Sequence, residues 1–156
     1  MADIVLEVKN LSITFFTKQG ALPTVDSLSF SLERGETLGI VGESGCGKSM
    51  TVNGILQMVP PPGKLTGGSV KLAGEELVGM KEKELCKKRG RDMAIIFQEP
   101  MTSLNPLMTC GRQISETILA HKRVSRAEAD KRALELISMV GIPMPEKIFN
   151  SIPGRL

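Results

Sequence analysis

The run Gly42-Glu43-Ser44-Gly45-Cys46-Gly47-Lys48-Ser49 constrains this chain more than any other stretch. It fits G-x-x-x-x-G-K-[ST], a loop whose backbone cradles phosphate oxygens. Just before it, Thr37-Leu38-Gly39-Ile40-Val41 is a short apolar run expected to form a buried strand. Just after it, Met50 to Leu56 is expected to continue as the first turns of a helix. Strand, glycine loop and helix in that order give the motif its chemical meaning. The competing reading is an ordinary glycine-rich turn before a helix, and average glycine usage of about 7% makes chance matches rare.

The chemistry follows from backbone freedom. Glycines at 42, 45 and 47 take angles closed to other residues and let an anion approach the main chain closely. The loop then offers successive N–H groups, and the helix start adds the positive end of its dipole. In this motif Lys48 reaches the β- and γ-phosphates and the Ser49 hydroxyl holds Mg²⁺. Cys46, beside Lys48 and a helix start, is expected to be more reactive than Cys86 and Cys110, against a reading as plain filler.

At 156 residues the chain is expected to form one domain with a real core. Twenty Lys+Arg against seventeen Asp+Glu give +3, too mild a bias to point to nucleic acid. Aromatic residues are 3%, with no Trp or Tyr, so the stacking platforms of single-strand binders are missing too. No apolar run approaches the roughly 20 residues needed to span a bilayer. The first residues, Met1 to Glu7, lack the basic region and apolar core of a signal peptide, so a cytoplasmic location is expected. Three widely spaced cysteines suggest neither a disulfide framework nor a zinc site. His121 is the chain's single histidine, expected on an exposed helix position and not as a ligand or base.

Taken in order, residues 4–16 alternate as a strand with a bend at Asn10, and Lys18-Gln19-Gly20 signals a turn. Val25, Leu28, Phe30 and Leu32 mark a second strand within 24–32, expected to pair antiparallel with the first. Glu33-Arg34-Gly35-Glu36 turns the chain toward the phosphate loop. Pro60-Pro61-Pro62-Gly63 stops the loop helix, and 67–74 reads as a turn followed by a short strand. Residues 80–92 form a basic helical segment with a solvated face. Met93-Ala94-Ile95-Ile96-Phe97 is a continuous apolar run expected as a parallel strand buried on both faces. Ile114, Ile118 and Leu119 keep helical spacing. Ser125-Arg126-Ala127-Glu128 is a capping box opening a helix whose apolar stripe is Ala133, Leu136, Ile137 and Val140. Gly141 and Pro143 close it.

Two stretches then carry a family resemblance: Gly-Glu-Thr-Leu-Gly-Ile-Val-Gly-Glu-Ser-Gly-Cys-Gly-Lys-Ser (35–49) and Ile-Phe-Gln-Glu-Pro-Met-Thr-Ser-Leu-Asn-Pro-Leu-Met-Thr (96–109). The chain resembles the ATP-binding subunits of ABC transporters, within them the dipeptide, oligopeptide and nickel importer group. The second stretch is the more specific, because many NTPases share the first. The resemblance implies an α/β P-loop NTPase fold with three parts. Residues 1–36 and 67–79 would be an antiparallel β-subdomain, 37–58 and 93–98 a partial parallel P-loop core, and 99–156 the Q-loop and helical subdomain. ATP and Mg²⁺ are the implied cofactors, held by Gly42, Glu43, Ser44, Gly45, Cys46, Gly47, Lys48, Ser49 and Met50. Gln98 matches the Q-loop glutamine that joins Ser49 in ligating Mg²⁺ and senses the γ-phosphate. Phe15 lies where the family places an aromatic that stacks on adenine, with Phe16 as the alternative and a strand-core role as the bland reading.

The resemblance also implies partners: integral membrane permease subunits, met through residues 99–140, and a second ATP-binding subunit. No nucleic acid is expected. Its signature motif beginning Leu-Ser-Gly-Gly, its strand ending in a catalytic acid pair and its switch histidine have no match here, although Leu156 fits the first signature residue. The chain is therefore expected to be an N-terminal portion carrying half a site, peripheral on the inner face of the membrane and without ATPase activity of its own. The rival readings are a non-catalytic nucleotide-binding or interaction module and, less well supported, an unrelated P-loop kinase.

Overall fold

The computed structural model describes residues 3–97 and 103–155. The chain divides into two compact units, Met1–Cys86 and Lys87–Leu156.

The first unit is built on an antiparallel sheet. Strands β1 (Ile4–Thr17), β2 (Gly20–Glu33), β3 (Gly63–Leu72) and β4 (Glu75–Glu76) lie in the order β2-β1-β3-β4. The alternation read from residues 4–16 produces β1, and the bend at Asn10 is real. Asn10 has φ 49°, and the pairing with β2 skips register between Val8 and Leu11. Ser29 Oγ accepts from the Asn10 N–H at 2.8 Å and Ser12 Oγ from the Ser27 N–H at 3.0 Å, so polar side chains take up amides beside the irregularity. The second strand begins earlier than its apolar pattern, directly after the Lys18-Gln19 turn.

Gly67 and Gly68 are not a turn; they lie inside β3. Gly68 has φ +98°, and a side chain there would put its first carbon 2.5 Å from the Asn10 carbonyl oxygen. The glycine pair lets β3 pass the bulge in β1, a demand that a local reading takes for a turn.

Val8, Leu11, Ile13, Val70 and Leu77 are buried at 1% exposure or less and form the centre of this core. Helix α1 (Lys48–Ile55) packs on it through Gly54, where an added side-chain carbon would sit 2.7 Å from Ile13 Cδ1. The helix stops before the prolines: Gln57 takes φ 55°. Helix α2 (Glu82–Lys88) is shorter than the 80–92 segment expected, because Gly90 turns the chain at φ +85°. Glu82, Lys83, Glu84 and Lys87 are exposed, whereas Lys88 is half-buried and Leu85 is buried.

In the second unit, α3 (Cys110–His121), α4 (Arg126–Met139) and α5 (Pro145–Asn150) pack together, followed by a 3₁₀ turn at Pro153–Arg155. The capping box is complete: Ser125 Oγ accepts from the Glu128 N–H at 3.2 Å and Glu128 Oε2 from the Ser125 N–H at 2.8 Å. The buried stripe of α4 is Ala129, Ala133 and Ile137. Val140 does not extend it; as the cap residue it has left the helical path and is 70% exposed. α5 seats Phe149 on Gly111, where a first side-chain carbon would lie 2.2 Å from the ring. His121 is half-buried and not exposed, since its ring closes over Gly90, with Nε2 2.8 Å from the position a side chain there would occupy.

The expected parallel strands at 37–41 and 93–97 are not strands in this structure. Residues 93–97 have a single parallel bridge, Arg89 to Met93. Val41 is 93% and Ile96 99% exposed, so neither run is buried on both faces. Apolar composition supplies burial energy only where neighbours exist. Among the described residues neither run has a ladder partner beyond that one bridge.

Candidate functional site

The phosphate-loop motif sits between the unpaired segment 36–43 and the first turn of α1. Gly45 and Gly47 take φ +84° and +95°, in the left-handed region that only glycine enters at little cost. Gly47 is doubly constrained: a first side-chain carbon would fall 2.5 Å from the carbonyl oxygen of Thr24 on β2. The loop is thus pressed against the second strand at the residue that opens the helix. At Gly42 the same carbon would lie 2.6 Å from Cys46 Sγ, so the thiol fills the hollow that the glycine leaves.

Lys48 spans the loop from inside. Its Nζ donates to the carbonyls of Gly42 and Glu43, both at 2.7 Å, and lies 3.6 Å from Cys46 Sγ. An ammonium group has three donors. Two backbone acceptors fix its position at the loop's mouth, where it is only partly buried. Glu43 enters through its carbonyl, while its own side chain and that of Ser44 are exposed. The Cys46 N–H donates to the Glu43 carbonyl at 3.3 Å and tightens the turn. Ser49 presents an exposed residue on the first turn of α1, and Met50 beside it is half-buried.

One contributor lies outside the motif. Thr51 is buried, and both its N–H (2.8 Å) and its Oγ1 (3.1 Å) donate to the Gly47 carbonyl. It locks the carbonyl at the helix entry, and a Thr four residues beyond the last loop glycine was the available clue. A cleft of about 250 Å³ borders the loop, lined by Thr24, Val25, Asp26, Ile40, Cys46 and Lys48 among others.

The arrangement fits a polyphosphate. Left-handed glycines, a helix start and an ammonium tethered to loop carbonyls create a compact hollow that leaves no room for a side chain at Gly42 or Gly47. The other expected residues are placed as follows. Phe15 is half-buried, its ring beside Gly63, whereas Phe16 is 48% exposed with Lys64 Nζ 5.9 Å from its ring centre. Gln98 lies outside the described residues. Cys46 and Cys86 are exposed and Cys110 is buried.

Comparison with known proteins gives the same picture over nearly the whole chain. Residues 25–153 match the family described as ABC transporter. Over 149 residues the chain is 48% identical to the oligopeptide transport ATP-binding protein OppD of Bacillus subtilis (strain 168), covering 95% of this chain and 42% of that protein. It is 43% identical over 152 residues to the dipeptide transport ATP-binding protein DppD of the same organism, covering 97% of this chain and 45% of the relative. Among solved structures it superposes on the dimeric structure of a bacterial ABC transporter cassette, with TM-score 0.80 and 26% identity, covering 97% of this chain and 62% of that one. The chain spans less than half the length of these two curated relatives. The antiparallel sheet, the glycine loop opening α1 and the three-helix unit are those of an ABC ATPase cassette. This chain belongs to the ABC transporter family.

Proposed function

We propose that the chain binds ATP with Mg²⁺ at Gly42–Ser49, as part of the nucleotide-binding subunit of an importer for peptides or nickel-type substrates. The observation that carries this is Lys48, tethered at 2.7 Å to the Gly42 and Glu43 carbonyls and so aimed across the loop. In this reading the loop N–H groups and Lys48 hold the β- and γ-phosphates, and the Ser49 hydroxyl and Gln98 hold the cation. Mg²⁺, when bound, supplies positive charge against the phosphate oxygens. The base stacks on Phe15, with Phe16, the more exposed ring, as the alternative.

In the whole protein, ATP binding and hydrolysis drive transport together with membrane permease subunits and a second ATP-binding subunit. The relatives named as peptide transport ATP-binding proteins support that assignment. So does the dimeric cassette for the pairing. Residues 1–36 and 67–79 form the β-subdomain, 37–58 and 93–98 the P-loop core, and 99–156 the Q-loop and helical subdomain, which meets the permease through 99–140. The protein then works on the inner face of the membrane. Among the described residues no helix is long and apolar enough to cross one. These 156 residues alone bind without turning ATP over, since nothing in them matches the catalytic acid pair.

Titration with a fluorescent ATP analogue tests the site. Saturable, Mg²⁺-dependent binding is expected, weakened about 10- to 100-fold by Lys48→Ala through loss of a charged hydrogen-bond donor. An unchanged affinity in the variant would place the nucleotide elsewhere. In the same experiment ATP is expected to protect Cys46 from maleimide while leaving Cys86 open.

A further inference from the structure

The hairpin of β1 and β2 carries an apolar pair that lies outside the phosphate loop. Phe15 of β1 stands directly opposite Leu22 of β2, so the two side chains leave the sheet on the same face. That face is the one α1 covers. Ile13, two residues before Phe15, pairs with Val25 and meets Gly54 of α1. Alternation along the strand puts Phe15 on the side of Ile13. The phosphate loop touches the same row: a first side-chain carbon on Gly47 would lie 2.5 Å from the Thr24 carbonyl oxygen and 3.4 Å from Val25 Cγ2. Leu22 is two residues along β2 from Thr24, about 7 Å of extended chain. Phe16 belongs to the other face with Thr14, which pairs with Lys64 of β3, and Lys64 Nζ lies 5.9 Å from the centre of the Phe16 ring.

Leu22 is 61% exposed, although it stands beside a half-buried aromatic ring. β2 is the edge of the described sheet, so no strand of that sheet lies beyond it. An apolar step next to an anion-binding loop fits a ligand that is charged at one end and a flat ring at the other. A nucleoside triphosphate has that build, its base joined to the phosphates through the ribose. A leucine that passes from water into contact with a ring contributes through the apolar area removed from water. We propose that Leu22 is a nucleotide-binding residue: paired with Phe15, it forms the apolar step that takes the base while Gly42–Ser49 holds the phosphates. This rests on the ATP site proposed above. The Leu22 side chain has no polar atom, so its contribution falls on the base and leaves the phosphates untouched.

Titration of the 156-residue chain with Mg-ATP and, separately, with inorganic tripolyphosphate distinguishes the two ends of the ligand. Leu22→Ser is expected to weaken ATP binding about fivefold, the scale of a partly covered leucine, and to leave tripolyphosphate binding unchanged. Retained tripolyphosphate binding also shows that the loop of the variant is folded. Phe16→Ser, on the opposite face, is expected to change neither. Unaltered ATP affinity in Leu22→Ser overturns the proposal. An equal loss for both ligands overturns it as well, because the substitution then acts through the loop and not on the base. A larger loss of ATP affinity in Phe16→Ser than in Leu22→Ser puts the base on the other face, with the same consequence. Wild-type chain that binds tripolyphosphate as tightly as ATP overturns the step and spares the phosphate site. Wild-type chain that binds neither overturns the ATP site, and the proposal with it.

Discussion

Strand β1 and the run Thr37–Val41 are both rich in apolar residues and both lie in the first unit, yet they end in opposite states. β1 is flanked by β2 and β3, and its Leu11 and Ile13 are fully buried. Thr37–Val41 joins no ladder, with Leu38 and Ile40 more than 40% and Val41 93% exposed. The difference lies in the neighbours and not in the residues. A strand's backbone groups need a ladder partner, and its side chains need a face to pack on, before apolar character becomes burial. The phosphate loop draws its shape from the better-supported region: Gly47 presses on the Thr24 carbonyl of β2, and α1 packs on Leu11 and Ile13 of β1.

The widest separation between the two states is expected from matched truncations. Ile13→Ala, at a fully buried site, is expected to cost about 2–5 kcal/mol. Ile96→Ala, at an equally apolar but 99% exposed site, is expected to stay within about 0.5 kcal/mol. Urea unfolding of the two variants measures both, and equal costs would mean that the 93–97 run is covered in solution.

A smaller effect probes the bulge that β1 imposes on its neighbour. Gly68→Ala adds a carbon 2.5 Å from the Asn10 carbonyl at a left-handed φ, with backbone on the other side of the clash. The expected loss is about 1–3 kcal/mol. Gly74→Ala, also left-handed at φ +82° but with open space around it, separates backbone strain from the clash. Thermal melts that place the two variants together would show that strain alone accounts for the loss.

The smallest effect is a pH dependence at the far edge of the same sheet. Burial pushes the Glu76 carboxyl up, but hydrogen bonds from Ser69 Oγ and from the Val70 and Val78 N–H groups, with the Lys71 charge, outweigh it and leave it below the ordinary carboxylate range. A carboxyl lowered by folding stabilises the folded state above its unfolded pKa, and that contribution disappears as pH falls through the folded value. The difference in Tm between wild type and Glu76→Gln is therefore expected to be present at neutral pH and to shrink as pH drops below the usual glutamate range. A difference that stays constant into acid would remove Glu76 as the cause.

Much of the site was readable because it is local. The glycine spacing, Lys48 and Ser49 lie within eight consecutive residues, and the left-handed turns at Gly45 and Gly47 are what those glycines are for. The bend at Asn10, the alternation of β2 and the Ser125–Glu128 capping box are equally short-range, each set by a period or a pair three residues apart. What the residues determined by themselves is thus which segments are able to be strand, loop or helix, and where the glycine loop turns into a helix. Tertiary structure alone decided the rest. Gly68 serves a bulge and not a turn because Asn10 passes 58 positions earlier in the chain. Gly47 is confined by Thr24, and Gly90 is covered by the His121 ring. Gln113 closes on Asn105, and two apolar runs stay open for want of a neighbour. Each of these depends on a partner far away in the chain or across a loop, and periodicity carries no record of which distant backbone will arrive beside it.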